Sequence, residues 1–344
     1  MPLPTGARLV HVGLPKTGST SLQTAFNALR PTLRDHGVVY PETGKALNHH
    51  KGASWLIGAP LTYRADPTPR EAEWEPMREE FRRAGDRRGV LSYEMLCIAE
   101  PAGIERVREE LGPQTHAVIV MRTFGEFVAS YWQESIKRGI DASLDDWVRD
   151  ALEAPDAPGS SGSFTCPQVI DTIERWTSVL GPENVTVIVL DSGSVLFDAV
   201  ESMLALPPGI LATGLSGRPA NRGMTVPEAA LIRQLNETLL RDWQMPAAEH
   251  RRLVLRGIVA RLLRDREPAP GEPKLLLPRW AVDPAQAAGA RIARAVRESG
   301  AQVLGDLAEL EREPAASDVD ASALPATLPV DLVVESFLGL MEKA

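Results

Sequence analysis

His11-Val12-Gly13-Leu14-Pro15-Lys16-Thr17-Gly18-Ser19-Thr20-Ser21-Leu22-Gln23 decides how this chain is read. Leu9, Val10 and Val12 make an apolar, β-branched run that reads as a short strand, and Gly13, Pro15 and Gly18 punctuate a loop. Leu22, Ala25, Phe26 and Leu29 then recur at helical spacing. Strand, glycine loop and helix in that order aim backbone N–H groups and the positive end of a helix at a phosphate. The hydroxyls of Thr17, Ser19, Thr20 and Ser21 add donors there, and Lys16 adds a point charge. A turn that only packs has little use for a lysine amid four hydroxyls and two glycines. The loop departs from the ATP and GTP pattern, which puts lysine directly after the second glycine. Here Lys16 precedes Gly18 by two positions and Ser19 follows it.

Outward from this loop, strands and helices alternate. Gly37–Tyr40 reads as a short strand ending at Pro41, residues 42–60 as loop, and 64–88, rich in Arg and Glu, as an exposed helix plus turn. Gly89–Ser92 reads as a buried strand with Tyr93 and Glu94 at its end. His116–Met121 is apolar throughout, as a parallel strand covered on both faces must be, and Arg122 ends it. Phe124, Phe127, Val128 and Tyr131 form one helical stripe, with Gly139 as its stop. A polar, glycine-rich loop is expected over 154–163. Val169, Ile173, Trp176 and Leu180 give a helix ending at Gly181, and Val185–Leu190 is a further strand. This alternation predicts an α/β fold with a central parallel sheet flanked by helices, whose ligands sit at the carboxyl ends of the strands. The glycine loop, Glu94 and Arg122 all follow strands, so one crevice can hold them together.

Beyond about residue 215 the pattern turns helical. Thr225-x-x-Glu228 with Pro227 is a capping-box start. Leu253, Ile258 and Leu262 mark an arginine-rich helix whose arginines read as a solvated face. An alanine-rich helix opens at Asp283-Pro284, and 313–328 reads as a linker before a last amphipathic helix around Val333, Phe337 and Leu340. The expected division is a nucleotide-binding α/β core over 1–215 and a helical C-terminal region over 216–344 packing on it.

Composition bounds the rest. The 344 residues are 44% hydrophobic and 24% charged, an ordinary globular balance. A formal net charge of −9 argues against a nucleic-acid partner but leaves room for a local basic pocket. Cys97 and Cys166 suggest neither a disulfide framework nor a zinc site. No segment approaches the ~20 apolar residues that cross a bilayer, so the protein is expected in the cytoplasm.

Pro15-Lys16-Thr17-Gly18-Ser19-Thr20-Ser21-Leu22 resembles the 5′-phosphosulfate loop of sulfotransferases that use 3′-phosphoadenosine 5′-phosphosulfate (PAPS). Met121-Arg122-Thr123-Phe124-Gly125-Glu126-Phe127-Val128-Ala129-Ser130-Tyr131 resembles that family's second cofactor segment, in which an arginine at a strand end and a serine on the next helix hold the 3′-phosphate. Leu91-Ser92-Tyr93-Glu94 is similar to the Ser-x-Glu segment of the carbohydrate sulfotransferases. The resemblance spans about residues 8–200 and implies a three-layer, P-loop-like fold. It also implies PAPS as cofactor, and sulfuryl transfer to a hydroxyl of a carbohydrate or small-metabolite acceptor. Lys16 would stabilise the leaving oxygen; Lys16, Thr17, Gly18, Ser19, Thr20 and Ser21 would hold the 5′ end, and Arg122 and Ser130 the 3′-phosphate. Glu94 is the first candidate for the base that takes the acceptor's proton, and one of His49 and His50 is the second, with His50 carried forward. No metal is demanded, because lysine and a helix end supply the positive field. A P-loop nucleotide kinase and a non-catalytic nucleotide-binding protein are the rival readings. Asn221-Arg222-Gly223, where some family members return a loop over the nucleotide, matches weakly and stays outside the site.

Overall fold

The computed structural model describes residues 1–43, 48–61, 66–153, 164–191, 195–215, 222–319, 321, 323 and 325–343. The expected loop at 154–163 and Asn221 lie outside them. Among the described residues the strands are β1 (Arg8–His11), β2 (Val38–Val39), β3 (Arg88–Ser92), β4 (Thr115–Met121), β5 (Val185–Val189), β6 (Leu277–Pro278), β7 (Gln302–Leu304) and β8 (Ala316–Ser317). The helices used below are α1 (Ser19–Ala28), α2 (Arg30–Asp35), α3 (His50–Ile57), α4 (Glu75–Arg83), α5 (Pro101–Leu111), α6 (Phe124–Lys137), α7 (Leu144–Glu153), α8 (Cys166–Leu180) and α9 (Val195–Leu204).

Six strands form one sheet in the order β2-β3-β1-β4-β5-β7, every pairing parallel. Leu9, Val118, Val120 and Ile188 share one core with Leu22 and Phe26 of α1 and Val200 of α9. The alternate residues Val10, Ile119 and Val187 point to the other face and are equally inaccessible. Helices cover both faces, with Ile104 and Val107 of α5 and Ile173 and Trp176 of α8 fully buried outside that first cluster. The fold is thus the expected α/β sheet flanked by helices, with strands that read as near-continuous apolar runs because neither face meets water.

The order places a switch point at β1. Its neighbours are β3, with His11 opposite Ser92, and β4, with His11 opposite Val118. The chain runs from β1 to β2 and β3 on one side and then crosses to β4 and β5 on the other, and in open parallel sheets such a reversal is where ligands sit, at the carboxyl ends of the strands. The Gly13 loop, Glu94 and Arg122 all stand at those ends.

The chain divides differently from the expected cut at 215. Two compact units interleave along the sequence: Met1–Thr123 with Pro167–Arg218 and Ala290–Arg312, and Phe124–Cys166 with Pro219–Gly289 and Glu313–Ala344. The C-terminal third is therefore not wholly helical, since β7 completes the sheet of the first unit. A second correction concerns 42–60: His50–Ile57 is a helix ending at Gly58, with Gly52 in its interior. Glycine suits that position because a Cβ would overlap Met77 Cε and press on the Glu73 carbonyl oxygen at 3.0 Å.

In the second unit, the predicted apolar stripe of α6 is buried at Phe124, Phe127 and Val128, and Tyr131 stacks on Phe127 at 5.9 Å. The capping box forms as expected, with Thr225 N–H donating to Glu228 Oε2 at 2.9 Å at the head of a Val226–Asn236 helix. β6 and β8 pair in a small parallel ladder. Among the described residues, no helix is long and apolar enough to cross a membrane.

Candidate active site

The loop between β1 and α1 is built around left-handed backbone. Gly13, Lys16 and Gly18 have φ of 71°, 65° and 85°. Glycine is needed at the first because a Cβ there would meet Glu94 Cα at 2.9 Å, and at the last because it would meet Leu196 Cδ2 at 2.8 Å. Lys16 has no such exemption and holds a sparsely populated conformation, of the kind kept where surrounding structure over-determines it. Gly18 caps α1 without a side-chain hydrogen bond, and the first turn carries no acidic residue. The N–H groups of that turn have no partner within the helix, so they and the helix dipole face outward together.

The hydroxyls named from sequence divide by role. Ser19 Oγ is buried and lacks a hydrogen-bond partner among the described residues, an arrangement that costs free energy unless a ligand accepts from it. Thr20 is exposed and Ser21 half-buried at the same end. Thr17 is different: its hydroxyl donates to the Leu14 carbonyl at 2.6 Å with no solvent access, so it ties the loop together.

Arg122, one residue beyond β4, brings its guanidinium to this loop: Nη1 lies 3.5 Å from the Lys16 carbonyl oxygen. A hundred residues of sequence separation collapse to one contact because β1 and β4 are adjacent. Ser130 lies on α6, which belongs to the second unit, whereas Arg122 belongs to the first.

Glu94 opens a single 3-10 turn after β3, directly beside Gly13. Gln23 of α1 donates to its Oε2 at 3.0 Å, and Asn48 Nδ2 approaches the same oxygen at 3.5 Å. Both contacts fall on Oε2. Asn48 also reaches the other candidate base: its Oδ1 accepts from His50 Nδ1 at 3.0 Å. An amide oxygen only accepts, so His50 donates from Nδ1 in this contact.

His49 is excluded from chemistry by the same logic. It is fully buried; Ser92 N–H donates to its Nδ1 at 3.0 Å, and its Nε2 donates to the Pro41 carbonyl at 3.1 Å. Burial is the main cause that pushes its pKa down to about 3. It is a neutral brace between the start of α3 and the end of β3. Burial likewise holds His11 down at about 4. Both histidines border, with Asn48, a cavity of about 280 Å³ that also meets Glu42, Lys51, Glu73 and Met77; what sets them apart is burial, His49 having no solvent access and His50 being half-buried.

Gln23 and Asn48 were missed from sequence. Gln23 carried a signal, since it lies one turn after Ser19 on the helix that opens the phosphate-binding loop. Asn48 carried none beyond its place before the histidine pair. Arg222, left outside the site, is engaged elsewhere: it makes two 2.7 Å hydrogen bonds to the buried Glu228. No family model, curated protein or solved structure matches this chain.

Proposed function

We propose that this protein transfers the sulfuryl group of PAPS to a hydroxyl of a carbohydrate or small-metabolite acceptor. One observation carries the reading: three distant segments, the Lys16 loop, Glu94 and Arg122, converge at the carboxyl ends of the adjacent strands β3, β1 and β4. The residues there fit such a donor. The α1 N-terminus, the unpartnered Ser19 hydroxyl and Lys16 suit its doubly anionic 5′ end, and Arg122 supplies a planar donor fork for a further phosphate. Ser130 is proposed as the second donor to that phosphate, on the strength of its position in the Arg122 segment alone.

Lys16 neutralises charge that builds on the leaving phosphate oxygen as the bond to sulfur breaks. Glu94 receives the acceptor's proton, and the loop N–H groups hold the phosphate in line. Most of the catalysis is therefore positioning and electrostatic stabilisation. Replacing Lys16 with Met is expected to lower kcat by about 10²-fold, while adenosine 3′,5′-bisphosphate still binds through the loop and Arg122. Single-turnover transfer from labelled PAPS checks it, and an unchanged rate would remove Lys16 from the chemistry.

The cofactor class is tested by thermal shift. Adenosine 3′,5′-bisphosphate is expected to raise Tm more than ATP or AMP at equal concentration, by mass action on the folded state. A larger shift with magnesium and ATP, indifferent to a 3′-phosphate, would make the protein a kinase. A bisphosphate shift without transfer to any glycan or metabolite tried, and with Glu94 substitutions silent, would make it a nucleotide-binding protein without catalysis.

A further inference from the structure

The terminal helix, Val330–Met341, shows two faces. Leu332, Ser336 and Gly339 are buried on one side, where Gly339 meets Gly257 so closely that a Cβ on either would come within 2.8 Å of the other's carbonyl oxygen. The charges of the helix are engaged within the same unit: Asp331 by Arg266 at 2.7 Å, Glu335 by Arg261 at 2.6 Å, and Glu342 by Arg264 at 3.5 Å. The other face is apolar and open. It carries Val330 (79% exposed), Val333, Val334, Phe337 (64%), Leu338 and Met341 (66%), spaced as one continuous helical stripe.

The stripe has an internal symmetry. Its first half holds three small β-branched side chains and its second half three large flexible ones. Turned antiparallel about a two-fold axis through the helix centre, it pairs Val330 with Met341, Val333 with Leu338 and Val334 with Phe337. Every pairing sets small against large, and the helix dipoles oppose. With residue areas on the order of 150–200 Å², the six side chains expose about 600 Å², so two copies together would bury about 1,200 Å², the lower limit for a specific stable interface. A patch of that size stands at the upper end of what monomer surfaces carry, where such patches are often functional. The six stripe positions carry no charge among themselves.

We propose that this face is the contact of an isologous homodimer, two copies of the chain joined by antiparallel pairing of their terminal helices. Sedimentation of the full chain at micromolar concentration is expected to give a dimer whose Tm rises with protein concentration, and Phe337→Glu a folded monomer whose Tm does not, since the side chain is largely open to solvent and only the association is lost. Geometry is tested by cross-linking. Protein carrying Val330→Cys mixed with protein carrying Met341→Cys is expected to form a disulfide-linked pair, whereas Met341→Cys alone is not. In the antiparallel arrangement the two 341 positions lie about 16 Å apart along the axis, beyond disulfide reach. The native cysteines, Cys97 and Cys166, are buried and do not compete. A monomeric wild type, a dimer indifferent to Phe337→Glu, or efficient cross-linking through Met341→Cys alone would each overturn the proposal.

Discussion

Glu94→Gln is expected to lower kcat for sulfuryl transfer by about 10²- to 10⁴-fold and to leave adenosine 3′,5′-bisphosphate binding within a factor of about two. The substitution keeps the size of the side chain and its acceptor oxygen. Gln23 can still donate at the position where it now meets Oε2 at 3.0 Å, and the backbone beside Gly13 is untouched. What disappears is the capacity to take up a proton. His50→Asn is the matched comparison. His50 contacts Asn48, which in turn approaches Glu94, so its loss disturbs orientation more than basicity if Glu94 is the base. The expected ranking is a large kcat loss for Glu94→Gln and a smaller loss, about tenfold, for His50→Asn. The reverse ranking, with the acidic limb of the pH–rate profile removed by His50→Asn, would transfer the base role to His50. Equal, full activity in both variants would leave the crevice without a base and sink the catalytic assignment.

The central strands were legible because each is long enough, and apolar enough on both faces, to read as a buried parallel strand. Thr115–Met121 and Val185–Val189 are examples. The strand–loop–helix start was legible because its glycines carry backbone geometry that other residues hold at a cost. β7 was not: three residues bounded by Gly300 and Gly305 carry no period, and only the neighbouring β5 makes them a strand. α3 was hidden by its own composition, since Pro41 precedes it, Gly52 sits inside it, and its partners are residues 73–77, far along the chain. In the site, charged residues announced themselves, whereas of the bridging amides Gln23 had only its place one turn into α1 and Asn48 had nothing. Gln23 and Asn48 have no motif because their role is defined by what stands across the crevice. Thr17 misled for the converse reason: a hydroxyl in a phosphate-binding loop looks like a ligand until the Leu14 carbonyl is seen to accept from it. The interleaving of two units was invisible because no change in composition marks the points where the chain leaves one for the other.

Arg266→Met is expected to destabilise the protein by about 3–5 kcal/mol at neutral pH, the most damaging single change in the second unit. Arg266 is 1% exposed, and its guanidinium serves three carboxylates: Glu228 at 2.9 Å, Glu272 at 2.6 Å and Asp331 at 2.7 Å. Glu228 has no solvent access at all, and Arg222 alone would be left to compensate it. Burial by itself would push the Glu228 pKa up. The hydrogen bonds from Arg222, Thr225 N–H and Arg266 reverse that and hold it below the usual glutamate value. Glu272 is likewise held low, chiefly by Arg266. A carboxylate whose folded pKa is depressed contributes stability that is present above its unfolded pKa and lost as pH falls through the folded one. The gap between wild type and Arg266→Met is therefore expected to be widest near pH 7 and to close below about pH 4.5 as the carboxylates protonate. Lysine at this position keeps the charge but cannot reach three carboxylates from one rigid fork, so Arg266→Lys is expected to fall between the two. Adding Glu228→Gln to Arg266→Met removes the stranded charge, and the double variant is expected to be more stable than the sum of the single losses predicts. Urea titrations of five proteins, wild type, Arg266→Met, Arg266→Lys, Glu228→Gln and the double variant, at pH 7 and pH 4 supply the test. A pH-independent gap, or strict additivity in the double variant, would show that Arg266 acts through its packed stem and not through the charges gathered around it.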